Sequence, residues 1–457
     1  MGFGLVLAMA YTASPLSVVF AAAAPVVCVV AGRGLPSDER RTLAIILGAA
    51  LLARLAVVAA SFILGIPYHS DLVVGALAGD EAYNLSRSLR LRDILVGFGG
   101  TRYDYFIVTD FYGRSSYLDL LTWLQMVFGP SPYGLKLLNG LWFTTGAAVL
   151  FRLVRPAFGT VPAYAGLVAV LFLPTLFHAS VALLKESVYF LATSALLTAT
   201  VLGLRSRRPG AMLGAFAVAA ASLWVLDDLR RGAIVLATSG IAAGLLLRFI
   251  LQARWRIVAA ALILIVAVGA AASQPAIESR LIGGINNMAN THSGHVFTVG
   301  HDYKLLDAGF YVNPTTPAAA TYHLTWPQAA RFVMRGIVSF IFVPLPWQAL
   351  SLGELAYLPE HLLWFVMLAM LPAGLVAGWR RDSLVTACLI GFILPTMAAL
   401  ALGQGNVGTL IRLRGLVTPY LFWIGALGAC AIAAKLAGRA RGHDAESLRL
   451  ATQRTIG

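Results

Sequence analysis

Two adjacent carboxylates, Asp80 and Glu81, stand shortly after an apolar segment, within the sequence Gly-Asp-Glu-Ala-Tyr-Asn-Leu at residues 79–85. A carboxylate at the edge of such a segment can remove a proton from a hydroxyl group that attacks a lipid-borne electrophile. The same residue types also favour the cap and the first turn of a helix. The two interpretations are compatible, because a cap fixes the position of a carboxylate. Asp80 and Glu81 are therefore candidates for acid–base chemistry.

Other titratable groups are concentrated in two polar stretches. Seven of the 20 acidic residues lie between positions 66 and 132, and four of the eight histidines lie between 273 and 328. Such a concentration indicates a functional site, with an ordinary solvated loop as the alternative for any single residue. Asp104 and Asp110 are further acidic candidates in the first stretch.

The second stretch contains side chains that can bind a divalent metal, namely His292, His295, His301 and Asp302. Their spacing matches no specific metal motif. A flexible segment that covers a substrate is therefore the preferred interpretation, and these four residues remain weak metal candidates.

Basic residues stand at the ends of several apolar segments. Ionisable groups near membrane depth are costly and need a reason. A lipid phosphate supplies one, because arginine binds phosphate oxygens in bidentate fashion, while ordinary anionic headgroups are the alternative. The candidate phosphate ligands are Lys185, Arg230, Arg231, Arg412 and Arg414.

The composition indicates that these residues are carried by an integral membrane protein. Of the 457 residues, 59% are hydrophobic and only 12% are charged, and the mean hydropathy is +0.80. A soluble protein of this size needs far more surface charge. The net charge of +14 is explained by arginines in short cytoplasmic loops and not by nucleic-acid binding. Cys28, Cys388 and Cys430 lie in apolar segments and provide neither metal spacing nor a disulfide framework.

Apolar runs that can cross a bilayer recur along the chain, and in lipid such runs must be helices. The sequence predicts one transmembrane domain, 1–457, that is all-α and polytopic with about 11 transmembrane helices. The first run lacks the basic start of a signal peptide, and an uncleaved signal-like segment is the alternative. The predicted spans are 3–31, 42–65, 134–154, 161–177, 180–204, 211–226, 233–250, 257–272, 361–378, 383–402 and 415–436.

Charge then predicts the orientation. Positive residues in the short loops are cytoplasmic, which makes 66–132 and 273–328 two long extracytoplasmic loops. Apolar residues at helical spacing predict amphipathic juxtamembrane helices within the first loop. The apolar segment 329–350 is broken by Pro344 and Pro346. We predict that it is a re-entrant or half-length helix, because a full crossing would place the basic turn 379–382 outside.

The chain resembles the GT-C superfamily of polytopic glycosyltransferases, which use polyprenyl-phosphate-linked sugars. The resemblance lies in Asp-Glu-Ala-Tyr at 80–83, after an early span and before an amphipathic helix, as in protein-mannosyltransferase-like and aminoarabinose-transferase-like bacterial enzymes. The segments 335–348 and 406–419 are also similar to late segments of bacterial polysaccharide-locus members. One departure is the extra apolar segment that precedes the acidic loop.

The resemblance implies an inverting transferase in the bacterial inner (plasma) membrane whose active site faces the periplasm or exterior. The catalytic base falls on Asp80, with Glu81 second, and the basic residues would bind the donor phosphate. The second acidic residue of the loop has no unique match, so Asp104 and Asp110 both remain open. Some members use a metal and others do not, which leaves Mg²⁺ or Mn²⁺ as an optional cofactor.

The expected partners are a polyprenyl-phosphate sugar donor, membrane lipids and a glycan, lipid or protein acceptor, without nucleic acid. Two other functions stay open. A lipid-linked polysaccharide polymerase or ligase shares the donor but lacks this acidic loop. A flippase or transporter of lipid-linked glycans should show internal repeats and polar residues near the membrane midplane. The sequence shows no such repeat, and its polar residues cluster on one side, which favours an enzyme.

Overall fold

The computed structural model describes residues 14–64, 79–109, 116–230, 232–297, 301–311, 323–345, 347, 355 and 357–456. These residues form 18 α-helices and one short 3-10 helix, Ala308–Tyr311. Apart from a single isolated bridge between Asp302 and Asn406, the described residues contain no strand pairing. The fold is therefore all-α, as the sequence predicts.

The helices are numbered in chain order. The first nine are α1 Pro15–Gly32, α2 Ser37–Ile63, α3 Gly79–Leu95, α4 Arg102–Thr109, α5 Ser116–Phe128, α6 Pro132–Phe158, α7 Thr160–Phe172, α8 Pro174–Val181 and α9 Glu186–Arg205. The second nine are α10 Pro209–Leu229, α11 Ala233–Leu251, α12 Arg254–Ser273, α13 Pro275–Val296, α14 Trp326–Phe342, α15 Leu358–Arg381, α16 Ser383–Gly403, α17 Val407–Arg414 and α18 Thr418–Ile456.

The described residues contain nine helices that are long and apolar enough to cross a membrane, namely α1, α2, α6, α9, α10, α11, α15, α16 and the first part of α18, Thr418–Ala437. The bent pair α7 and α8 supplies a tenth if it counts as one span. Ten of the predicted spans overlap these elements, although residues 3–13 of the first span and residue 65 of the second lie outside the described residues. The remaining span, 257–272, overlaps helix α12. The protein is a multi-pass membrane protein.

The helix pair α7 and α8 is bent by 57° at Leu173. Pro174 follows the bend, and a proline both lacks an N–H donor and disfavours helical backbone at the residue before it. The sequence predicted two spans here, 161–177 and 180–204. The structure places the bend inside the first of them and starts the next helix at Glu186.

Prolines also shape the apolar segment 329–350. Helix α14 covers 17 residues and ends at Phe342, two residues before Pro344. Its start is fixed by a capping box between Thr325 and Gln328, in which each side chain bonds the backbone of the other end of the turn. The break predicted at Pro344 is present, and Pro346 lies outside the described residues.

Three helices, α3, α4 and α5, lie in the first long loop. Leu85 of α3 and both Leu118 and Leu121 of α5 are buried in the core. Gln125 of α5 donates to the hydroxyl of Ser88 in α3 at 2.8 Å. Helices α3 and α5 therefore pack on the bundle through apolar residues that their periodicity predicted, whereas α4 was not predicted.

Helix α6 is the most buried span and packs against α1, α2, α7 and α9. Its first turns carry three buried polar side chains, Lys136, Asn139 and Thr144. Polar groups buried in this way need partners, and two of these three make contacts that position the candidate site.

Several arginines make contacts at one end of the bundle. At one end Arg155 pairs with Glu39 at 2.7 Å, Arg205 pairs with Asp382, and Arg381 donates to the carbonyl of Phe158. We call this the arginine-rich end. The turn 379–382 lies there, beside the end of α9, as expected if α14 does not cross completely. The starts of α6 and α9 and the end of α10 lie at the opposite end.

Candidate active site

Asp80 and Glu81 lie in the first turn of α3 but face different surroundings. Successive residues of a helix are rotated by about 100°. The Asp80 side chain is 58% exposed, whereas the Glu81 side chain is only 1% exposed. The structure thus separates an accessible carboxylate from a buried one.

The buried carboxylate of Glu81 forms an ion pair with Lys136 of α6 at 3.0 Å. The lysine is 2% exposed, and its ammonium also lies 5.7 Å from the centre of the Phe62 ring. Nearby, burial, followed by the negative charges of Glu186 and Glu81, holds the pKa of Tyr117 well above its usual value. Glu81 therefore ties α3 to α6, which is a positioning contact.

The exposed carboxylate of Asp80 faces a cluster of charges from three other parts of the chain. Arg412 of α17 donates to Asp80, and its Nε lies 3.7 Å from Oε1 of Glu186. Arg230, directly after α10, donates to the same Glu186 oxygen at 3.3 Å. The charges of Asp80, Glu186, Arg230 and Arg412 all act on the pKa of Lys185. We call these five residues the charge cluster.

The pKa of Lys185 depends on the other charges of the cluster. Burial lowers the pKa of Lys185, and the positive charges of Arg230 and Arg412 lower it further, against opposition from Glu186 and Asp80. Burial lowers the pKa of Arg412, but the negative charges of Glu186 and Asp80 outweigh burial, so the pKa of Arg412 is raised. Three cations thus face two carboxylates, which leaves one net positive charge in a partly buried place. Such a place favours binding of an anion.

The bend between α7 and α8 precedes two members of the charge cluster, Lys185 and Glu186. Arg54 of α2 donates to the Leu171 carbonyl at 3.0 Å and to the Ser180 hydroxyl at 2.8 Å, so it bridges the two sides of the bend. Its guanidinium also lies 4.8 Å from the Phe177 ring centre. A lone arginine within a membrane span is energetically unfavourable unless its polar groups find partners. Here Arg54 donates to the Leu171 carbonyl at the break.

Two asparagines hold the turn that follows the bend. Asn139 of α6 donates to the carbonyls of Ala179, Ser180 and Ala182 at 3.3, 3.3 and 2.6 Å. Asn84 of α3 donates to the carbonyl of Leu183 at 3.0 Å. Lys185 and Glu186 come next along the chain, so these bonds set where the two charged residues enter the cluster.

Replacing Asn139 by alanine is expected to lower the free energy of unfolding by about 1–3 kcal/mol, because buried carbonyls lose their donor. Reversible unfolding in mixed detergent micelles measures the change. Thr144→Val is the matched control, because its buried hydroxyl bonds only the Gly140 carbonyl of its own helix. Equal stability of the Asn139 variant and wild type would contradict this assignment.

Arg414 lies two residues from Arg412 but contacts different elements. Its guanidinium donates to the carbonyls of Ser339, at 3.2 Å, and Val343, and approaches Nε2 of His361 at 3.3 Å. It lies 5.4 Å from the ring centre of Trp364, and burial lowers its pKa to about 10. Arg414 joins α14, α15 and α17, and within the described part of the chain it makes no hydrogen bond or ion pair with the charge cluster.

The other acidic and basic candidates lie outside the charge cluster or outside the described residues. Asp104 accepts from the backbone and hydroxyl of Thr101, at 2.9 and 2.6 Å, and pairs with Arg90 at 2.5 Å. The Thr101 hydrogen bonds, with a smaller contribution from Arg90, lower the pKa of the Asp104 carboxyl. Asp110 and Arg231 are outside the described residues.

The histidines of the second long loop are engaged in local contacts. Nδ1 of His292 contacts the Gln404 carbonyl, and its Nε2 lies 3.0 Å from the Tyr311 hydroxyl. Burial lowers the pKa of His292 to about 4. Nδ1 of His295 contacts the Gly403 carbonyl at 2.7 Å. Both ring nitrogens of His292 are therefore occupied in the neutral ring.

His301 and Asp302 attach the same loop to the start of α17. The His301 carbonyl accepts from Val407 at 2.8 Å, and Asp302 bridges to Asn406. Across the described part of the chain, no three His, Cys, Asp or Glu side chains are grouped so that they could hold a metal ion. The loop thus supports the helix that carries Arg412.

Glu186 was not predicted as a site residue, although it connects Arg230 to Arg412. The signal for it was present in the sequence, as an acidic residue directly beside Lys185 at the start of an apolar span. Asn139 gave no such signal, because its importance depends on the bend of a neighbouring span.

These observations define the class, an all-helical multi-pass membrane protein with a charge cluster at one end of its bundle. Comparison of the chain with protein-family models, curated proteins and solved structures gives no match.

Proposed function

We propose that the protein is a GT-C-type glycosyltransferase that moves a sugar from a polyprenyl-phosphate donor to an acceptor hydroxyl, in cell-envelope or exopolysaccharide synthesis. The observation that carries this proposal is the exposed Asp80 carboxylate beside the cations Lys185, Arg230 and Arg412. A base and an anion-binding group are the two parts that this reaction needs at one place.

The proposal also assigns the orientation of the protein in the membrane. The arginine-rich end faces the cytoplasm of a bacterium, because positive residues accumulate on that side of the plasma membrane. The charge cluster lies at the opposite end and faces the exterior or periplasm. If α12 and the bent pair α7 and α8 are counted as crossings beside the nine candidate spans of the described residues, the total is 11, the number that the sequence predicts.

In the proposed reaction, Asp80 takes the proton of the acceptor hydroxyl as its oxygen attacks the anomeric carbon. The new carbon–oxygen bond forms as the bond from that carbon to the phosphate oxygen breaks, with inversion. The electron pair of the broken bond stays on the lipid phosphate. The cations of the charge cluster stabilise this growing negative charge.

The ion pair between Arg412 and Asp80 links donor binding to the base. A lipid phosphate is a competing ligand for the same guanidinium, which binds phosphate strongly. When Arg412 turns to the phosphate, the carboxylate of Asp80 becomes free to accept a proton.

Purified protein incubated with polyprenyl-phosphate sugars and membrane extracts as acceptor source tests the proposal. We expect acceptor-dependent release of polyprenyl phosphate and no reaction with nucleotide sugars. Use of a nucleotide sugar, or no consumption of any lipid-linked donor by folded protein, would contradict it.

The depressed pKa of Lys185 predicts a pH effect on donor use. Lys185 binds phosphate only when protonated, so kcat/KM for the donor should fall as the pH rises through a value below the usual lysine range. Lys185→Gln should lower kcat/KM at neutral pH and remove this alkaline decline. An unchanged pH profile in the variant would exclude Lys185 from donor binding. Lys304→Gln, a lysine that lies near the Tyr311 ring, is the control.

A further inference from the structure

Two open apolar grooves lie side by side on the outer surface of the bundle. One runs between α9 and α10 and has a volume of about 560 Å³, and the other runs between α1 and α6 with a volume of about 520 Å³. Val149 and Thr198 line both grooves. The two grooves therefore share one floor, formed by α6 and α9, between walls formed by α1 and α10.

The arginine-rich end of the bundle closes both grooves with cations. Arg33 and Arg152 line the second groove, and Arg205 lines the first. Arg152 donates to the Arg33 carbonyl at 2.7 Å, which keeps these two residues together. Arg205 pairs with Asp382, whereas within the described ranges no carboxylate pairs with Arg33 or Arg152.

An apolar groove that ends in unneutralised arginines matches the chemistry of an anionic phospholipid. Lipid tails are as apolar as the groove, so the groove selects by shape and adds little attraction. Selectivity must then come from the headgroup, whose phosphate the arginines can bind. A transmembrane helix from another protein fits the grooves less well, because its apolar surface leaves the rim charges unmatched.

We propose that these grooves bind one anionic glycerophospholipid of the leaflet at the arginine-rich end. Its two acyl chains lie in the two grooves on either side of the shared floor. Its headgroup phosphate contacts Arg33 and Arg152. This site lies at the end of the bundle opposite the charge cluster and does not depend on the proposed sugar transfer.

Native mass spectrometry of the purified full-length protein tests the site, with phosphatidylglycerol and phosphatidylcholine of identical acyl chains as probes. Wild type is expected to retain phosphatidylglycerol preferentially. The double variant Arg33→Gln/Arg152→Gln should lose on the order of 20-fold in affinity for it, since an arginine near the headgroup plane contributes about fivefold.

The matched control is Arg254→Gln/Arg380→Gln, which removes two exposed charges from the same end but outside both grooves. It should keep the preference. Ala211→Trp, at an exposed position on the wall of the first groove, should lower retention with all arginines present. If the double arginine variant does not fold, the lipid retention of the Ala211→Trp variant tests the proposal instead.

Three results would overturn the proposal. One is equal retention of both lipids by wild type, and another is an equal loss in the control double variant. The third is a wild-type dimer that carries no lipid, which would assign the grooves to a second copy of the chain.

Discussion

Replacing Asp80 by asparagine is expected to lower the turnover of sugar transfer by about 10²–10⁴-fold, the usual contribution of a general base. An amide has nearly the shape of the carboxylate but cannot take the acceptor proton. Because the Asp80 side chain is 58% exposed and makes its ion pair with Arg412 at the surface, the variant should remain folded. Transfer from a polyprenyl-phosphate sugar under saturating donor measures the effect on kcat.

Asp93→Asn is the matched control for this prediction. Asp93 belongs to the same helix α3, is 47% exposed and pairs with Arg92 at 2.8 Å. It also carries a carboxylate bound to an arginine, but it has no contact with the charge cluster. The control should keep near-normal turnover. If folded Asp80→Asn protein retained normal turnover, or if both variants lost it equally, Asp80 would not be the base.

The second large effect is expected on stability, from Glu81→Gln. This change leaves the Lys136 ammonium, only 2% exposed, without its carboxylate. Removing one partner of a buried ion pair costs about 3–5 kcal/mol, because the remaining charge stays desolvated and loses the opposite charge that offset this cost. Unfolding of the purified protein in mixed micelles should report a loss of this size.

The double variant Glu81→Gln/Lys136→Met separates the pair from its surroundings. It removes both charges, and apolar replacement of a buried pair is often neutral, so most of the lost stability should return. Arg331→Gln is the exposed control, because Arg331 and Asp307 are 57% and 62% exposed at 3.5 Å, and it should change stability little. A double variant less stable than Glu81→Gln would show that the ion pair is not the cause.

The membrane spans could be predicted because their signal is local. Twenty apolar residues in lipid have few alternatives to a helix, and ten of the predicted spans meet elements of the required length and hydropathy. The bend at Leu173 was missed, although Pro174 stood in the sequence. A proline alone does not show whether a span will break, since the break also needs side chains that satisfy the freed carbonyls. Here those side chains, Arg54 and Asn139, come from other helices, α2 and α6.

The candidate site could be predicted in outline only. The sequence named Asp80 and Arg412 as members of one site, and the structure pairs them across 332 positions of the chain. It could not distinguish Arg412 from Arg414, because both belong to one short helix. Residues two apart on a helix point in nearly opposite directions, so Arg412 reaches Asp80 while Arg414 packs against Trp364.

The sequence also could not distinguish the two carboxylates of α3, Asp80 and Glu81. Their sequence context assigned both Asp80 and Glu81 to chemistry, with Asp80 first. Their environments differ because Glu81 meets Lys136 of α6, which lies 55 positions away in the chain, whereas Asp80 meets Arg412. A buried partner of this kind leaves no local pattern beside the acidic residue.

The most direct test of sugar transfer follows the fate of a labelled sugar in proteoliposomes that contain its polyprenyl-phosphate carrier. The account predicts that the label leaves the lipid, appears on an acceptor hydroxyl with inverted configuration, and leaves polyprenyl phosphate behind at the face that carries Asp80. A label that stays on its lipid and crosses to the other leaflet would contradict the account and identify a transporter instead.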